Sequence, residues 1–362
     1  MSRVILKRYF YPVGQGLCCR EEFLLENGEK FNLVYDCGSG ISESPDDDVV
    51  NQISSYFAGC DIDVLFFSHF HNDHTNLLKT LVESGIKIRK IILPLIDLAE
   101  YNILKEIDGH CNDALLKVAL EGDRIFGIDV HRLLGRSELL SDSDIFNKIS
   151  RFWNYETFNY QFITKSKEFL SKLKPNINPK KLFSANFVLA NKAKLKEIYE
   201  SIGSVNEQST VLFSYPKKDY VVNFDSFSRK ITGDIGKECF NNMYYDYTFR
   251  KEYCEHSYNF LKRAGAIFFG DYTVKYVRNY NDISRLFTSV IDKIGTIQFP
   301  HHGSKTGLNK KIIHSYKEYI FCFGIGNIYR HPNLDSVKSV VFSHSYPIFV
   351  TDFCSYMQFF KF

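Results

Sequence analysis

No run of roughly 18 or more apolar residues occurs anywhere in the 362-residue chain, which argues against a membrane-spanning helix. The opening MSRVILKRYFYPVGQG lacks the long apolar centre and small-residue cleavage site of a secretory leader, so a soluble, cytoplasmic protein with no membrane association is expected. No CxxC pair is present, and this argues against a thiolate zinc cluster. The 9 cysteines are an odd number at irregular spacings, with Cys18 and Cys19 adjacent, as expected of reduced thiols rather than a disulfide framework. Charge imbalance is small at +3, which permits a polyanionic substrate without demanding one. No internal repeat at a fixed period is visible.

What the chain does have is aromatic surface. Its 33 Phe and 23 Tyr stand against 3 Met and 1 Trp, an excess that suits aromatic-rich strands. Length is sufficient to bury a sizeable core without covalent staples. Up to about residue 95 the texture is strand-rich, with VILKRYFYPV, FNLVYDCG, DVLFFSHF and IRKIILPL closed by Gly, Asp or Pro. Helical spacing in DDDVVNQISSYFAG between two of them gives an alternating β/α layout. Residues 97–200 read as a helical, lysine-rich insertion, either a solvated face or a basic wall that steers phosphates. Strand texture resumes at TVLFSY and continues through GAIFFGDY, GTIQFPHHG, EYIFCFGIG and YPIFVTD, interrupted by a second insertion at 236–262. One domain spanning 1–362 with these two insertions is expected, with no clean linker.

Chemistry concentrates in HFHNDH, where His69, His71, Asp73 and His74 follow the apolar run of DVLFF. They fall on the loop at a strand end, where side chains converge. Mixed imidazole and carboxylate donors select zinc, manganese, iron or nickel over calcium. Four ligand-type residues in six positions exceed what one tetrahedral ion takes from a short loop, so two divalent ions are expected, zinc first and manganese as the alternative.

HFHNDH resembles the HxHxDH signature of the metallo-β-lactamase superfamily, and that resemblance implies an α/β fold, an αββα sandwich here carrying helical insertions, with metals at one sheet edge. Asp36 in YDCGSG resembles the family's Asp-x-Gly, whose carboxylate supports the metal loop from behind; read alone it is a turn aspartate. FPHHGSKTG resembles the HHGS motif of the nuclease-like domain of the competence protein ComEC, and implies His301 as the remote metal ligand. GIGNIYRHPNLDSV followed by PIFVTD is similar to that group's closing pattern and implies that His331 faces the site. NEQSTVLF is similar to its Asn-x-x-Ser and brings in Asn206 and Ser209 as substrate-binding candidates.

The superfamily also implies a bridging aspartate after a buried strand. KITGDIG offers Asp234 by lettering, and AGAIFFGDY offers Asp271 by context, because Ala266, Ile267, Phe268 and Phe269 form a continuous apolar strand. Asp271 is assigned the bridge and Asp234 is the alternative. The histidine that the superfamily commonly places between the first cluster and that bridge has no counterpart in a matching context, which leaves the filling of the first metal position open.

The resemblance implies hydrolysis of a phosphodiester in DNA or RNA by a metal-activated water, with Asp73 orienting and deprotonating it. His302, Ser304, Lys305 and His331 are candidates to hold substrate or protonate the leaving oxygen, Lys305 being the best anion partner. The partner is then a nucleic acid or nucleotide, and a stand-alone nuclease in nucleic-acid processing or antiviral defence is the corresponding role. Two other classes stay open. One is a small-molecule hydrolase, such as a cyclic-nucleotide phosphodiesterase, lactonase or thioesterase. The other is a non-enzymatic metal-bound sensor or partner protein.

Overall fold

The computed structural model describes residues 4–133, 137–159, 167–173, 177–202, 209–217, 227–232, 263–274, 277–307 and 309–362. Asn206, Asp234 and the insertion at 236–262 lie outside the described residues.

Two sheets form the centre. The first runs, in spatial order, β11 (Phe227–Thr232), β16 (Ser355–Lys361), β1 (Ile5–Phe10), β2 (Gly16–Leu24), β3 (Lys30–Ser39), β4 (Ile62–Phe66), β5 (Ile88–Pro94), β7 (Ile128–Leu133) and β6 (Arg124–Ile125). The second runs β15 (Tyr346–Val350), β14 (Glu318–Cys322), β13 (Ile294–Gln298), β12 (Gly265–Phe268), β10 (Val211–Pro216), β9 (Trp153–Phe158) and β8 (Ser137–Leu139). Each sheet has an antiparallel part and a parallel part: β3, β4, β5 and β7 are parallel in one, and β12 to β15 in the other. Parallel neighbours need crossovers, and the helices that supply them cover the outer faces.

Side-chain periodicity explains the layers. β4, all apolar apart from Asp63, is buried at every residue, as expected of a strand covered on both faces. β1 and β16 bury every second residue, so Leu6, Arg8 and Phe10, and Tyr356, Gln358 and Phe360, point between the sheets. That inner layer holds Phe23, Phe31, Phe66, Trp153, Tyr155 and Phe268. Outside the first sheet, Ile53 and Phe57 of the helix Asp47–Phe57 and Leu115 and Leu116 of the helix Asp113–Glu121 pack with Leu65 and Ile91. Outside the second, Ile283 and Phe287 of the helix Val277–Val290 and Val340 of the helix Leu334–Phe342 pack with Ile267 and Tyr319. Helix, sheet, sheet, helix is the αββα order. Among the described residues, no helix is long and apolar enough to cross a membrane.

The segment 97–200 differs from its helical reading. Helices at Leu98–Ile103, Asp113–Glu121, Ala185–Ala190 and Lys192–Ile202 are present, but β6 to β9 lie between them and extend both sheets. WNYETF explains why: Trp153, Tyr155 and Thr157 alternate inward, a period of two inside a region of helical texture. Lys172, Lys180, Lys181, Lys192, Lys194 and Lys196 are exposed, while Leu182, Val188, Leu195 and Tyr199 from the same stretch join the outer core.

Candidate metal centre

The C-terminal ends of β3, β4, β12 and β13 meet at one edge of the sandwich. Beyond β4 the chain passes Ser68, His69 and His71 into the short helix Asn72–Thr75, which carries Asp73 and His74. This loop is pinned from β3. Asp36, fully buried and held at φ 53°, accepts hydrogen bonds from the Ser68 amide (2.7 Å) and Ser68 hydroxyl (2.8 Å) and pairs with His74 Nδ1 at 2.8 Å. A non-glycine residue in the left-handed region is strained, and here the strain aims one carboxylate at three groups. The Asp36 carboxyl is raised from its usual range by burial, with His74 pulling the other way.

Gly38 completes the Asp-x-Gly. A Cβ there would overlap the backbone of Asp73 and His74, so the metal loop rests directly on β3. Gly38→Ala is therefore expected to displace Asp73 and His74, costing about 1–3 kcal/mol of stability and weakening metal binding. Urea unfolding and chelator competition on the same preparation check this; parent-like values in both would show that the loop tolerates the displacement.

Asp271 follows β12. Its loop is organised by Gln298 at the end of β13, whose Oε1 accepts from the amides of Phe269 and Gly270, both at 2.8 Å. The HHG turn after β13 has three consecutive residues in the left-handed region, His301 (φ 49°), His302 (φ 52°) and Gly303 (φ 84°). It is tied to the Asp271 loop by the His301 amide donating to the Gly270 carbonyl at 3.0 Å.

Ring by ring, one nitrogen of each histidine is engaged on the outside. His69 Nδ1 meets Ser68 Oγ (2.9 Å) and Ser209 Oγ (3.2 Å). His302 Nδ1 donates to the Cys322 carbonyl at 2.8 Å, and His71 Nε2 meets Asp108 at 3.1 Å. The other nitrogens then face inward. His74 Nε2 lies 3.2 Å from Asp271 Oδ1, and His302 Nε2 lies 3.3 Å from Asp73 and 3.5 Å from Asp271.

Ligand-type atoms of Asp73, His74, Asp271 and His302 all lie within 4.8 Å of one another, and so do those of His69, His71 and Asp73. Buried polar atoms without partners are costly. Among the described residues such side-chain atoms include His69 Nε2, His74 Nε2 and Asp271 Oδ1, all in this cluster. An inward-facing imidazole nitrogen without a partner, His69 Nε2, beside His74 Nε2 and Asp271 Oδ1, which face each other at 3.2 Å, is an arrangement a cation would satisfy, so the donor set fits a divalent transition metal.

The charges of the cluster act strongly on one another, and an ion would take the place of the proton that His74 shares with Asp271. Burial, with His74 and His71 nearby, holds His69 well below the ordinary imidazole range and keeps it neutral. Burial opposes charge on Asp271, but His301, His302 and His74 outweigh it and hold the carboxyl well below its usual value. Burial likewise opposes charge on His74, and Asp271, Asp73 and Asp36 overcome it and raise the ring well above its usual pKa.

The remaining sequence candidates divide. His301, expected as the remote ligand, is farther out than His302: its Nε2 is 3.7 Å from Asp271 and its side chain is 23% exposed. His302, expected at the substrate, is the one drawn between Asp73 and Asp271. Ser209 is fully buried, and its hydroxyl accepts from the Asp271 amide at 3.1 Å, so it braces His69 and Asp271 from inside the fold. Ser304 is also buried and holds its own loop through Thr306 (2.7 Å) and the Gly307 amide (3.1 Å). Both hydroxyls are engaged within the protein.

Lys305 is exposed on the same loop. His331 is half-buried, its ring centre 5.6 Å from that of His301, and Asn327 clips its loop by accepting from the His331 amide at 2.9 Å. Burial, with His302 and His301 close by, lowers His331 to about 4, so its ring is neutral near pH 7. Sequence reasoning missed Gln298 and Asp108. A glutamine inside the apolar GTIQFP was a usable signal for the first, whereas nothing local marks Asp108.

No known family profile and no curated protein matches the chain. Solved structures that align with it include an archaeal metallo-β-lactamase superfamily protein from Sulfolobus tokodaii, at 17% identity and a TM-score of 0.24 over 42% of this chain and 54% of that one. A long-form RNase Z from yeast aligns at 10% identity and a TM-score of 0.32 over 81% of this chain and 32% of that one. The chain thus spans about half the length of the archaeal protein and a third of the yeast enzyme. Helix, sheet, sheet, helix order, paired parallel half-sheets and a His/Asp cluster at their strand ends make the fold an αββα sandwich, the architecture that the resemblance of HFHNDH implies.

Proposed function

We propose that the chain is a metal-dependent phosphodiesterase acting on nucleic acid or a nucleotide. The observation that carries this reading is the sharing of Asp73 by two adjacent groups of ligand atoms. His69, His71 and Asp73 would hold one divalent ion, and Asp73, His74, Asp271 and His302 a second, a grouping in which the shared carboxylate is Asp73 and not Asp271, the bridge expected from the sequence; zinc suits the donors best, with manganese the alternative. Ions there would lower the pKa of an attacking water and offset negative charge building on phosphoryl oxygens.

The chain's own residues supply the rest. Asp73 is the nearest carboxylate to accept a proton from that water. Lys305, exposed beside the cluster, offers an ammonium to a phosphate, and the neutral His331 ring can donate its N–H to a second oxygen. Asp36, Ser68, Ser209 and Gln298 hold the ligands so that little reorganisation accompanies the reaction. The similarity of FPHHGSKTG and GIGNIYRHPNLDSV to the nuclease-like domain of ComEC favours a nucleic acid over a small metabolite.

The test is a digestion panel with added zinc or manganese: linear and circular DNA, RNA, cyclic nucleotides and a chromogenic β-lactam. Cleavage of DNA or RNA that disappears in a His71→Ala, Asp73→Ala double variant is the expected result. Turnover of cyclic nucleotides alone would move the substrate to the small-molecule class, and turnover of the lactam alone would overturn the phosphodiesterase reading.

A further inference from the structure

His71 takes its outer partner from the segment after β5. The π-helical turn Leu104–Asp108, closed by Gly109 at φ 75°, ends with Asp108 3.1 Å from His71 Nε2. Its other oxygen is occupied: the Tyr199 hydroxyl donates to Asp108 Oδ2 at 3.2 Å, from a residue 91 positions later. The backbone is locked in the same place. Residue 71 forms a bridge with residue 111, framed by the Asn72 amide donating to the His110 carbonyl (2.9 Å) and the Asn112 amide donating to the Phe70 carbonyl (2.8 Å). Cys111 brings its thiol to the same spot, grouped with His71 and Asp108.

We propose that Asp108, braced by Tyr199, is a positioning residue for the metal centre, acting through His71. A carboxylate accepting from Nε2–H fixes that proton on Nε2 and leaves Nδ1 as the ring nitrogen with a lone pair for an ion. The same division of labour holds for His69 and His302, whose outer partners are supplied close to the sheets, by Ser68, Ser209 and the Cys322 carbonyl. Fixing tautomer and ring orientation raises the basicity of the ligating nitrogen. Because, among the described residues, His69, His71 and Asp73 are the ligand-type groups gathered at this position and Ser209 braces His69, the first ion depends heavily on His71 being held. The two ends of the segment thereby meet at the metal centre through Asp108 and Tyr199.

This inference rests on the metal reading above, and one set of measurements on the full-length protein separates the two. Zinc affinity by chelator competition, the melting temperature of the metal-free protein and the cobalt(II) absorption spectrum are compared for the parent, Asp108→Ala, Asp108→Glu and Tyr199→Phe. Asp108→Ala is expected to weaken zinc binding about 10- to 100-fold with the metal-free melting temperature unchanged. Asp108→Glu is expected to recover part of the affinity, and Tyr199→Phe to lose a smaller, severalfold amount. Parent-like affinity in Asp108→Ala would overturn the inference while leaving the metal reading intact. A metal-free melting temperature that falls along with affinity would make Asp108 a fold residue only, and a thiolate-to-cobalt band would make Cys111 a ligand and remove the positioning role. A parent that binds no metal would end both readings together.

Discussion

Asp271→Asn is expected to reduce phosphodiester hydrolysis by on the order of 10³-fold or more, equivalent to about 4 kcal/mol of transition-state stabilisation, and to release most of the bound metal. The reason lies in its surroundings. Asp271 is buried with the rings of His74, His301 and His302 around it, at 3.2, 3.7 and 3.5 Å. Asparagine keeps the shape and removes the charge, so a loss of metal in this variant reports on charge rather than on packing. Chelator competition and initial rates on a chromogenic phosphodiester measure it. A variant that keeps its metal and turns over within threefold of the parent would show that the cluster's charge is not what binds the ion.

The second large effect is on folding. Arg8 and Glu21 form an ion pair with no solvent exposure between the two sheets. Every polar atom of the pair is used. Arg8 Nε donates to Glu21 Oε1 (2.7 Å), Nη1 to Gln358 Oε1 (2.8 Å) and Thr296 Oγ1 (3.3 Å), and Nη2 to the Ala264 carbonyl (2.7 Å). Glu21 Oε2 accepts from the hydroxyls of Tyr155 and Ser214, both at 2.6 Å. The pair therefore joins β1, β2 and β16 of one sheet to β9, β10 and β13 of the other. Arg8→Met is expected to destabilise the fold by about 3–5 kcal/mol, because it leaves Glu21 buried without its cation. Replacing Glu21 as well, by Gln, is expected to cost clearly less than the sum of the single changes. Urea unfolding midpoints for the three variants and the parent decide this, and an Arg8→Met cost below about 1 kcal/mol would show that the pair contributes no more than an exposed one.

How much of this was legible in the sequence depended on whether the signal was local. HFHNDH could be read because four ligand-type residues follow a fully buried strand. Context also favoured Asp271 over Asp234, since AIFF is buried throughout and places Asp271 at a strand end; Asp234 lies outside the described residues. The order of His301 and His302 was not legible. Two adjacent histidines are interchangeable in lettering, and what separates them is a run of left-handed backbone that turns His302 inward.

Ser209 and Ser304 are substrate candidates by the resemblance of their motifs, whereas in the fold both hydroxyls are buried braces. WNYETF was absorbed into a helical region because its period of two spans only six residues. Arg8 sits at an inward position of ILKRYF, and a charged residue there is foreseeable only with partners from six distant segments in view. Asp108 and Tyr199 are long-range for the same reason.

The central claim is that Asp73 is shared between two ions. The most direct measurement is the metal content per chain of the full-length protein, purified without chelator and equilibrated with zinc, alongside the same measurement on Asp73→Ala. Two ions per parent chain and one or fewer in the variant is the predicted result. A parent that retains no transition metal, or an Asp73→Ala protein that retains as much as the parent, would contradict it.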